Sequence, residues 1–187
     1  MGSNLSHRSN LVVLMLVFLL VFGSCAASAA SGNASDWASA FSYFLDGMTS
    51  LVPNDASPWD YGYLYYDVDK DGIPELITKT GTCEADYIGT VYYFQNGKVE
   101  KAGDFGLSHA DMYSDPVNNG IIVGMGSMGW SCAIRYSLRN GYLTENQFFE
   151  ESLDFYTNPD AEYTEIEDLV PGSEYLEFTP FCNTEPF

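Results

Sequence analysis

The amino-acid sequence predicts a mainly β domain of the α+β class, in which an antiparallel meander of two repeated units follows one N-terminal amphipathic helix. Three observations carry that prediction. Short runs of β-branched and aromatic residues recur after residue 60, Asn-Gly pairs separate several of them, and a strong helical periodicity occurs in one place. Hydrophobic residues are 46% of the chain and aromatic residues 16%, which supplies a core despite a net charge of −19.

The first 29 residues are predicted to be an export leader. Leu11 to Phe22 is an unbroken run of 12 apolar residues, too short to cross a bilayer because a spanning helix needs roughly 20. It fits the apolar core of a signal peptide. Two ways of processing the leader remain open. Ala27-Ser-Ala29 is a small-residue cleavage site, and Phe22-Gly-Ser-Cys25 resembles a bacterial lipobox in which Cys25 carries the lipid. Either way of processing predicts a protein that is secreted or is lipid-anchored on the outer face of the cell membrane.

The domain organisation follows from that leader. Residues 30–35 are predicted to be a flexible tether, and residues 36–187 are predicted to form a single domain. Loss of the leader removes Arg8 and no acid, which leaves six basic against 26 acidic side chains. That balance argues against a nucleic-acid partner, because phosphate binding needs clustered Lys and Arg. Contact with a membrane is expected only through the alternative anchor at Cys25.

The domain begins with a predicted helix over Ser35 to Leu51, capped by Ser35 or Asp36. Its large apolar residues recur at spacings of three and four and so lie on one face. They are Trp37, Phe41, Phe44, Leu45 and Met48. This stripe is expected to pack against a sheet.

The rest of the domain is predicted to be an antiparallel meander. Asn96-Gly97 is typical of a two-residue hairpin turn, and Asn118-Asn-Gly120 and Asn140-Gly141 also separate strand-like runs. The runs beside the second turn are Met112 to Ser114 and Ile121 to Met125. Nearer the C-terminus, Tyr163 to Leu169 is helix-like and Tyr175 to Thr179 alternates like an edge strand. The sequence leaves open whether this tail joins a sheet.

The segment Asp67 to Leu76 is predicted to be a metal-binding loop. Aspartates stand at its first, third and fifth positions, and Gly72 at the sixth permits a sharp turn. Positions seven and nine can supply a backbone carbonyl and a further carboxylate. The predicted ligands are the side chains of Asp67, Asp69, Asp71 and Glu75 and the carbonyl of Ile73. Four carboxylates in nine residues repel one another without an ion, and oxygen ligands favour calcium. The alternative is a solvated aspartate-rich turn that holds no ion.

The loop is not an EF-hand, because its twelfth position is Thr78 and its flanks are strand-like. The pattern D-x-D-x-D-G-x-x-[DE]-L between strands resembles the calcium loops of FG-GAP and VCBS repeats, the blades of integrin-type β-propellers. That resemblance implies the same ligand set, with Glu75 standing where those families more often carry aspartate. The chain is also similar to uncharacterised secreted proteins and lipoproteins of gut Firmicutes, a resemblance that implies no activity.

A second, weaker copy of the loop region indicates two blade-like units. Asp67 to Ile73 aligns with Asp115 to Ile121 at an offset of 48, and Tyr93 to Val99 aligns with Ser137 to Leu143 at an offset of 44. The second loop has lost the carboxylates of its third and fifth positions, so it is predicted to be a turn that binds no ion. Two units cannot close a propeller. A pair of small sheets, or one curved sheet backed by the helix, remains.

Three cysteines follow the leader, and an exported protein favours disulfides. Cys83 and Cys132 stand at nearly equivalent points of the two units, and a bridge between them is expected. Cys182 is the competing partner for either one. None of the three has the C-x-x-C spacing of a zinc site.

Candidate catalytic residues are few. His109 is the sole histidine after the leader and is expected to be a loop residue, and Gly124 to Gly129 lacks the lysine of a phosphate loop. Carboxylates that could form a glycosidase pair, or equally lie on the solvated surface, are Glu84, Asp86, Glu150 and Glu151.

The predicted function is that of an exported calcium-binding β domain, with calcium structural, that acts as a cell-surface or secreted binding module. Its partner is expected to be an extracellular protein or glycan. Aromatic rings on the sheet faces could form the contact surface, although about half must face inward. These rings are Tyr61, Tyr63, Tyr65, Tyr66, Tyr87, Tyr92 and Tyr93. The alternatives are a secreted hydrolase that uses a carboxylate pair and an inhibitor of an extracellular enzyme.

Overall fold

The computed structural model describes residues 36–57 and 59–181. The bounds of the elements are α1 Asp36–Thr49, β1 Gly62–Tyr66, β2 Glu75–Thr80, β3 Ile88–Gln95, β4 Lys98–Gly106, β5 Ala110–Ser114, β6 Ile121–Ser127, β7 Trp130–Arg139, β8 Tyr142–Ser152, α2 Ile166–Leu169 and β9 Thr179–Pro180. No helix within these residues is long and apolar enough to cross a membrane. The predicted leader, the tether, Cys25 and Cys182 lie outside the described residues.

The strands form two antiparallel sheets. One has five strands in the order β4-β3-β2-β1-β9, and the other has four in the order β5-β6-β7-β8. Strands β1 to β4 and strands β5 to β8 therefore each run as a meander of sequential neighbours, one meander in each sheet. The prediction of a mainly antiparallel β fold with one substantial helix is confirmed. Of the two arrangements that the sequence left open, the structure has the pair of sheets.

The two sheets enclose a common apolar core. Residues on alternate positions of the strands point into it, as the period of two requires. The five-stranded sheet contributes Leu64, Ile77, Val91 and Phe105, and the four-stranded sheet contributes Met112, Ile121, Val123, Ile134, Tyr136 and Leu138. Val68 of the first loop and Leu107 of the β4–β5 connection are also buried in this core. The loops at the strand ends are thus fixed by the packing between the sheets.

Helix α1 covers the outer face of the five-stranded sheet. Phe41 is fully buried there and forms one apolar cluster with Leu45, Leu76 and Phe181. The other predicted members of the stripe pack around this cluster, so the predicted face is confirmed. The helix ends at Thr49, two residues before the predicted end, where the Thr49 hydroxyl donates to the carbonyl of Leu45 at 2.9 Å.

The C-terminal segment covers part of the outer face of the four-stranded sheet. Ile166 and Val170 of the segment pack against Ile122 and Ala133. The chain then returns to the first sheet, because Thr179–Pro180 pairs with β1. The tail therefore joins both sheets. The predicted edge strand from Tyr175 is displaced: Tyr175 makes one isolated bridge to Tyr113, and the strand itself is β9.

All three predicted Asn-Gly hairpins are confirmed. Asn96 and Asn140 both have φ 52°, and the glycines that follow have φ 77° and 78°, as a two-residue type I′ turn requires. The third hairpin also has its predicted flanking strands, because Ser114 pairs with Ile121, and its connection is a longer loop of the six residues 115–120. The remaining two-residue turn of the four-stranded sheet is Met128-Gly129, with φ 54° and 85°.

The expected bridge between Cys83 and Cys132 is absent, since both thiols are free. Cys132 lies on β7 with its side chain in the core between the sheets, whereas Cys83 is exposed in the β2–β3 connection. The Asp86 carboxylate accepts the N–H groups of Thr82 and Cys83, at 2.7 and 2.9 Å, and holds that connection at the surface. Equal positions in the repeat therefore do not bring the two sulfurs to one place.

Candidate metal centre

The loop between β1 and β2 folds its aspartates toward a common point. Lys70 adopts φ 62° and Gly72 adopts φ 91°, so the chain reverses between successive aspartates. One carboxylate oxygen from each of Asp67, Asp69 and Asp71 lies within 4.8 Å of the others. This cluster could hold a metal ion.

Backbone N–H groups fix the carboxylates in place. Asp67 accepts the N–H of Asp71 at 3.1 Å with Oδ1 and the N–H of Gly72 at 3.0 Å with Oδ2. Asp71 accepts the N–H of Ile73 at 2.7 Å, and Asp69 accepts the N–H of Asp71 at 3.2 Å. The spacing of two along the loop thus produces interlocked turns, in which each aspartate orders the backbone that carries the next one.

Glu75 lies at the base of the loop as the first residue of β2. It is 4% exposed, and its Oε2 accepts the N–H of Val68 at 2.8 Å. Burial, followed by the charges of the three aspartates, raises the pKa of Glu75 to about 8 despite that hydrogen bond. Burial and the neighbouring Asp71 also raise the pKa of Asp69. The negative charges of this loop are therefore unfavourable in the protein alone.

The only basic residue of the loop does not neutralise these carboxylates. The Lys70 ammonium donates to the Tyr66 hydroxyl at 2.6 Å and to the Asp67 carbonyl at 3.0 Å, and it lies over the Tyr66 ring. The donor set left to face a cation is made of oxygen atoms alone, which suits a hard ion such as calcium better than zinc or copper.

The predicted ligands divide into two groups in the structure. Asp67, Asp69 and Asp71 converge, while Glu75 is beneath them with one oxygen engaged by Val68. Ile73 is half-buried and donates its N–H to Asp71.

In the loop of the second unit, residues 115–120, the negative charge is balanced by a basic side chain of the protein itself. Asp115 is fully buried and accepts the N–H groups of Val117 and Asn118 at 3.0 and 2.8 Å. Its Oδ2 accepts the Nε–H of Arg135 at 2.6 Å. Burial alone would raise the pKa of Asp115, but the Asn118 N–H and the Arg135 guanidinium outweigh it and hold that pKa below its ordinary value. The carboxylate of the second loop thus has an arginine as its partner, whereas Lys70 of the first loop does not bind the carboxylates there.

The two loops are in direct contact. The Tyr66 hydroxyl accepts the N–H of Asp115 at 3.0 Å and donates to the carbonyl of the same residue at 3.2 Å. The N–H of Gly120 donates to the carbonyl of Val68 at 2.6 Å. Sequence analysis missed both Tyr66 and Arg135 as parts of this region. The one available signal was the single acid left in the second loop, which needs a cationic partner if it is buried.

The tyrosines expected to form a contact surface are mostly half-buried. Tyr61, Tyr63 and Tyr92 lie under α1. Tyr66, Tyr87 and Tyr93 lie against the core between the sheets. Tyr65 remains 41% exposed, but its ring contacts Trp37 and Phe41. Each of the seven rings therefore packs against other apolar side chains on one side and is partly exposed.

The carboxylates considered for catalysis do not converge. Asp86 caps the β2–β3 connection, Glu150 accepts from the Trp130 indole, and Glu151 accepts from Ser131 and Thr164. His109 is an exposed turn residue with φ 49°, as expected, and its Nδ1 lies 3.7 Å from Oε1 of Glu84, which is also exposed. Among the described residues the buried carboxylates are Glu75 and Asp115, which belong to the two loops. The buried pair that a hydrolase requires, in a cleft away from the first loop, is not found in this part of the chain.

Comparison of the chain with protein-family models, with curated proteins and with solved structures finds no match. The relation of the first loop to FG-GAP and VCBS repeats stays a prediction from its sequence.

Proposed function

We propose that this protein is an exported calcium-binding β domain that acts as a cell-surface or secreted binding module, and that its calcium is structural. The observation that carries the proposal is the convergence of Asp67, Asp69 and Asp71 within 4.8 Å. Glu75 is buried beneath them, and Lys70 is engaged elsewhere. In this proposal the Glu75 carboxylate and the Ile73 carbonyl complete the ligand set.

Calcium fits this loop for two physical reasons. It takes six to eight oxygen ligands in flexible geometry, so three aspartates, a carbonyl and water can share one ion with a more distant glutamate. It also removes the repulsion among the carboxylates, which the protein otherwise bears alone. Extracellular modules bind calcium with a Kd of about 10⁻⁴ to 10⁻³ M, a range suited to an exported protein.

The structural role follows from the position of the loop. The loop connects β1 to β2, which are neighbouring strands of the five-stranded sheet. Val68 of this loop and the preceding Tyr66 contact the second loop, which belongs to the other sheet. An ion that fixes the loop therefore also supports the contact between the two sheets.

The test is thermal unfolding with millimolar calcium against chelator, together with calorimetric titration. We expect one site per chain and an increase in stability of about 2.7 kcal/mol at a calcium concentration 100 times Kd. Asp69→Ala is expected to abolish the increase. Asp111→Ala removes an exposed aspartate of β5 and is the matched control. An unchanged melting temperature in the wild type, or an equal response in the two variants, contradicts the proposal.

A further inference from the structure

A polar groove lies on the outer face of the four-stranded sheet, beside the C-terminal segment. Its volume is about 650 Å³, and it is formed by the loop 115–120 together with β7 and β8. The polar side chains that define it include Asn118, Arg135, Ser137, Arg139 and Asn146.

The alternation of the strands aligns these side chains. On β7, Tyr136 and Leu138 point into the core, so Arg135, Ser137 and Arg139 point outward. On β8, Asn146 pairs with Arg135 and Thr144 pairs with Ser137, so their side chains stand on the same face. The Ser137 hydroxyl donates to the Asn119 carbonyl at 2.7 Å and joins the loop to the sheet. The groove is thus held by regular secondary structure on one side and by a fixed loop on the other.

The charge of the groove is opposite to that of the chain. None of the acidic residues that the structure describes lines this groove, although Asp115 of the same loop pairs with Arg135. The groove contains both arginines of the described residues. Glu145 lies between Thr144 and Asn146 on β8, so alternation directs its side chain to the other face. A negatively charged group is therefore the complementary ligand.

The two arginines are available for such a ligand. Arg135 uses Nε to bind Asp115, and its guanidinium carbon lies 4.6 Å from the centre of the Phe148 ring. Both of its Nη groups lack a hydrogen-bond partner among the described residues, and its side chain is 19% exposed. Arg139 is exposed and likewise has no side-chain partner in that part of the chain. The buried ion pair fixes Arg135 in advance, which lowers the entropy cost of binding.

The spacing of the arginines selects an extended ligand. They stand four residues apart on one strand, about 13 Å at roughly 3.3 Å per residue. One carboxylate cannot bridge that distance, whereas an oligomer that repeats its acidic groups can contact both. The Asn146 amide supplies donors and an acceptor for sugar hydroxyl groups. The Ser137 and Thr144 hydroxyls, which donate to the carbonyls of Asn119 and Ser137, supply acceptors. A peptide strand would instead pair with a sheet edge, and this groove lies on a sheet face.

We propose that this groove binds an acidic polysaccharide, with uronate carboxylates on Arg135 and Arg139. The proposal rests on the proposed function in that it names the ligand of the binding module. The net negative charge of the protein does not prevent such binding, because fields from distant surface acids are screened over about 8 Å at physiological ionic strength.

The test uses a hyaluronan hexasaccharide, whose glucuronate carboxylates alternate with neutral sugars, and measures Kd by calorimetry in millimolar calcium. Arg139→Gln is expected to weaken binding by roughly tenfold or more, the loss typical of one charge-assisted hydrogen bond. Lys98→Gln removes the same charge from the exposed first residue of β4 in the other sheet, where no side-chain partner occurs among the described residues, and should bind like the wild type. Carboxyl-reduced hyaluronan should not bind to the wild type.

The proposal is overturned if the wild type does not bind, if Arg139→Gln binds equally well, or if Lys98→Gln weakens binding equally. Tighter binding of polyglutamate than of hyaluronan also overturns it and assigns the groove to acidic peptides. The calcium proposal is read separately, from melting temperatures without the sugar. Binding that depends on Arg139 in a protein that calcium fails to stabilise would leave the groove assigned and the metal site refuted.

Discussion

Glu75→Gln should change stability in opposite directions in the absence and presence of calcium. In the metal-free protein, Glu75 is buried close to three aspartates, and its pKa is raised to about 8. Glutamine keeps an oxygen that can accept the N–H of Val68, and its amide can donate to the neighbouring carboxylates. The substitution therefore removes an unfavourable charge without leaving a cavity.

The magnitude follows from the proton that Glu75 holds in the folded protein. In the unfolded chain this carboxyl ionises near its ordinary value of 4.5, whereas in the metal-free folded state it stays protonated to about pH 8. At pH 7, keeping that proton costs about 3 kcal/mol at 1.36 kcal/mol per pH unit. Because the pKa is raised on folding, the stability contributed by the protonated Glu75 carboxyl is fully present below pH 4.5. That stability is lost as the pH rises toward 8. Glu75→Gln should therefore stabilise the metal-free protein by about 2 to 3 kcal/mol at pH 7 and hardly at all at pH 4.5.

Calcium reverses the comparison. The ion would make the ionised carboxylate favourable, so the wild type should gain more stability from calcium than Glu75→Gln does. The assay is urea unfolding of both proteins at pH 4.5 and pH 7 after metal removal, and at pH 7 with saturating calcium. Glu174→Gln, at an exposed residue whose side chain has no partner in the described part of the chain, is the control and should match the wild type throughout.

One result would refute this reasoning. If Glu75→Gln destabilises the metal-free protein at pH 7 by as much as it destabilises the calcium-bound protein, the buried carboxyl is a structural acceptor and its charge plays no part. The reversal of sign is thus the diagnostic feature.

Two further substitutions test other parts of the structure. Asp115→Ala should cost about 3 to 5 kcal/mol with or without calcium, because it leaves Arg135 without its buried partner. Since the pKa of Asp115 is lowered on folding, its contribution is present above pH 3.8 and lost as the pH falls through the lower folded value, so acid titration should show less loss in the variant. Phe41→Ala should cost about 3 to 5 kcal/mol in urea unfolding, whereas Tyr43→Ala, at an 83% exposed position of the same helix, should cost less than about 0.5 kcal/mol.

Features encoded by neighbouring residues could be predicted from the sequence. The apolar stripe of α1 depends on spacings of three and four, and the two-residue Asn-Gly hairpins depend on asparagine and glycine at positive φ. The convergence of Asp67, Asp69 and Asp71 depends on alternate positions of one tight loop. In each case the residues that decide the conformation lie within one turn of one another.

Features that depend on which strands become neighbours could not be predicted in this way. Arg135 reaches Asp115 across 20 residues, and Tyr66 reaches it across 49. The cysteine prediction failed for the same reason: position in the repeat fixes neither the face on which Cys132 points nor the exposure of Cys83. The Met128-Gly129 turn carries no sequence signal, because methionine seldom adopts the positive φ that it shows here.

The two loops that are in contact differ in whether they need a cation from the medium. The Asp115 carboxylate of the second loop is neutralised by Arg135, which is part of the chain and so does not dissociate from the protein. The first loop contains no such cation and, in our proposal, takes one from the medium. Because Tyr66 and Val68 rest on the second loop, the ion-dependent half of the junction is supported by a half that persists in any ionic medium. A fall in external calcium would then weaken what the first loop adds to the contact between the two sheets and leave what the second loop adds in place.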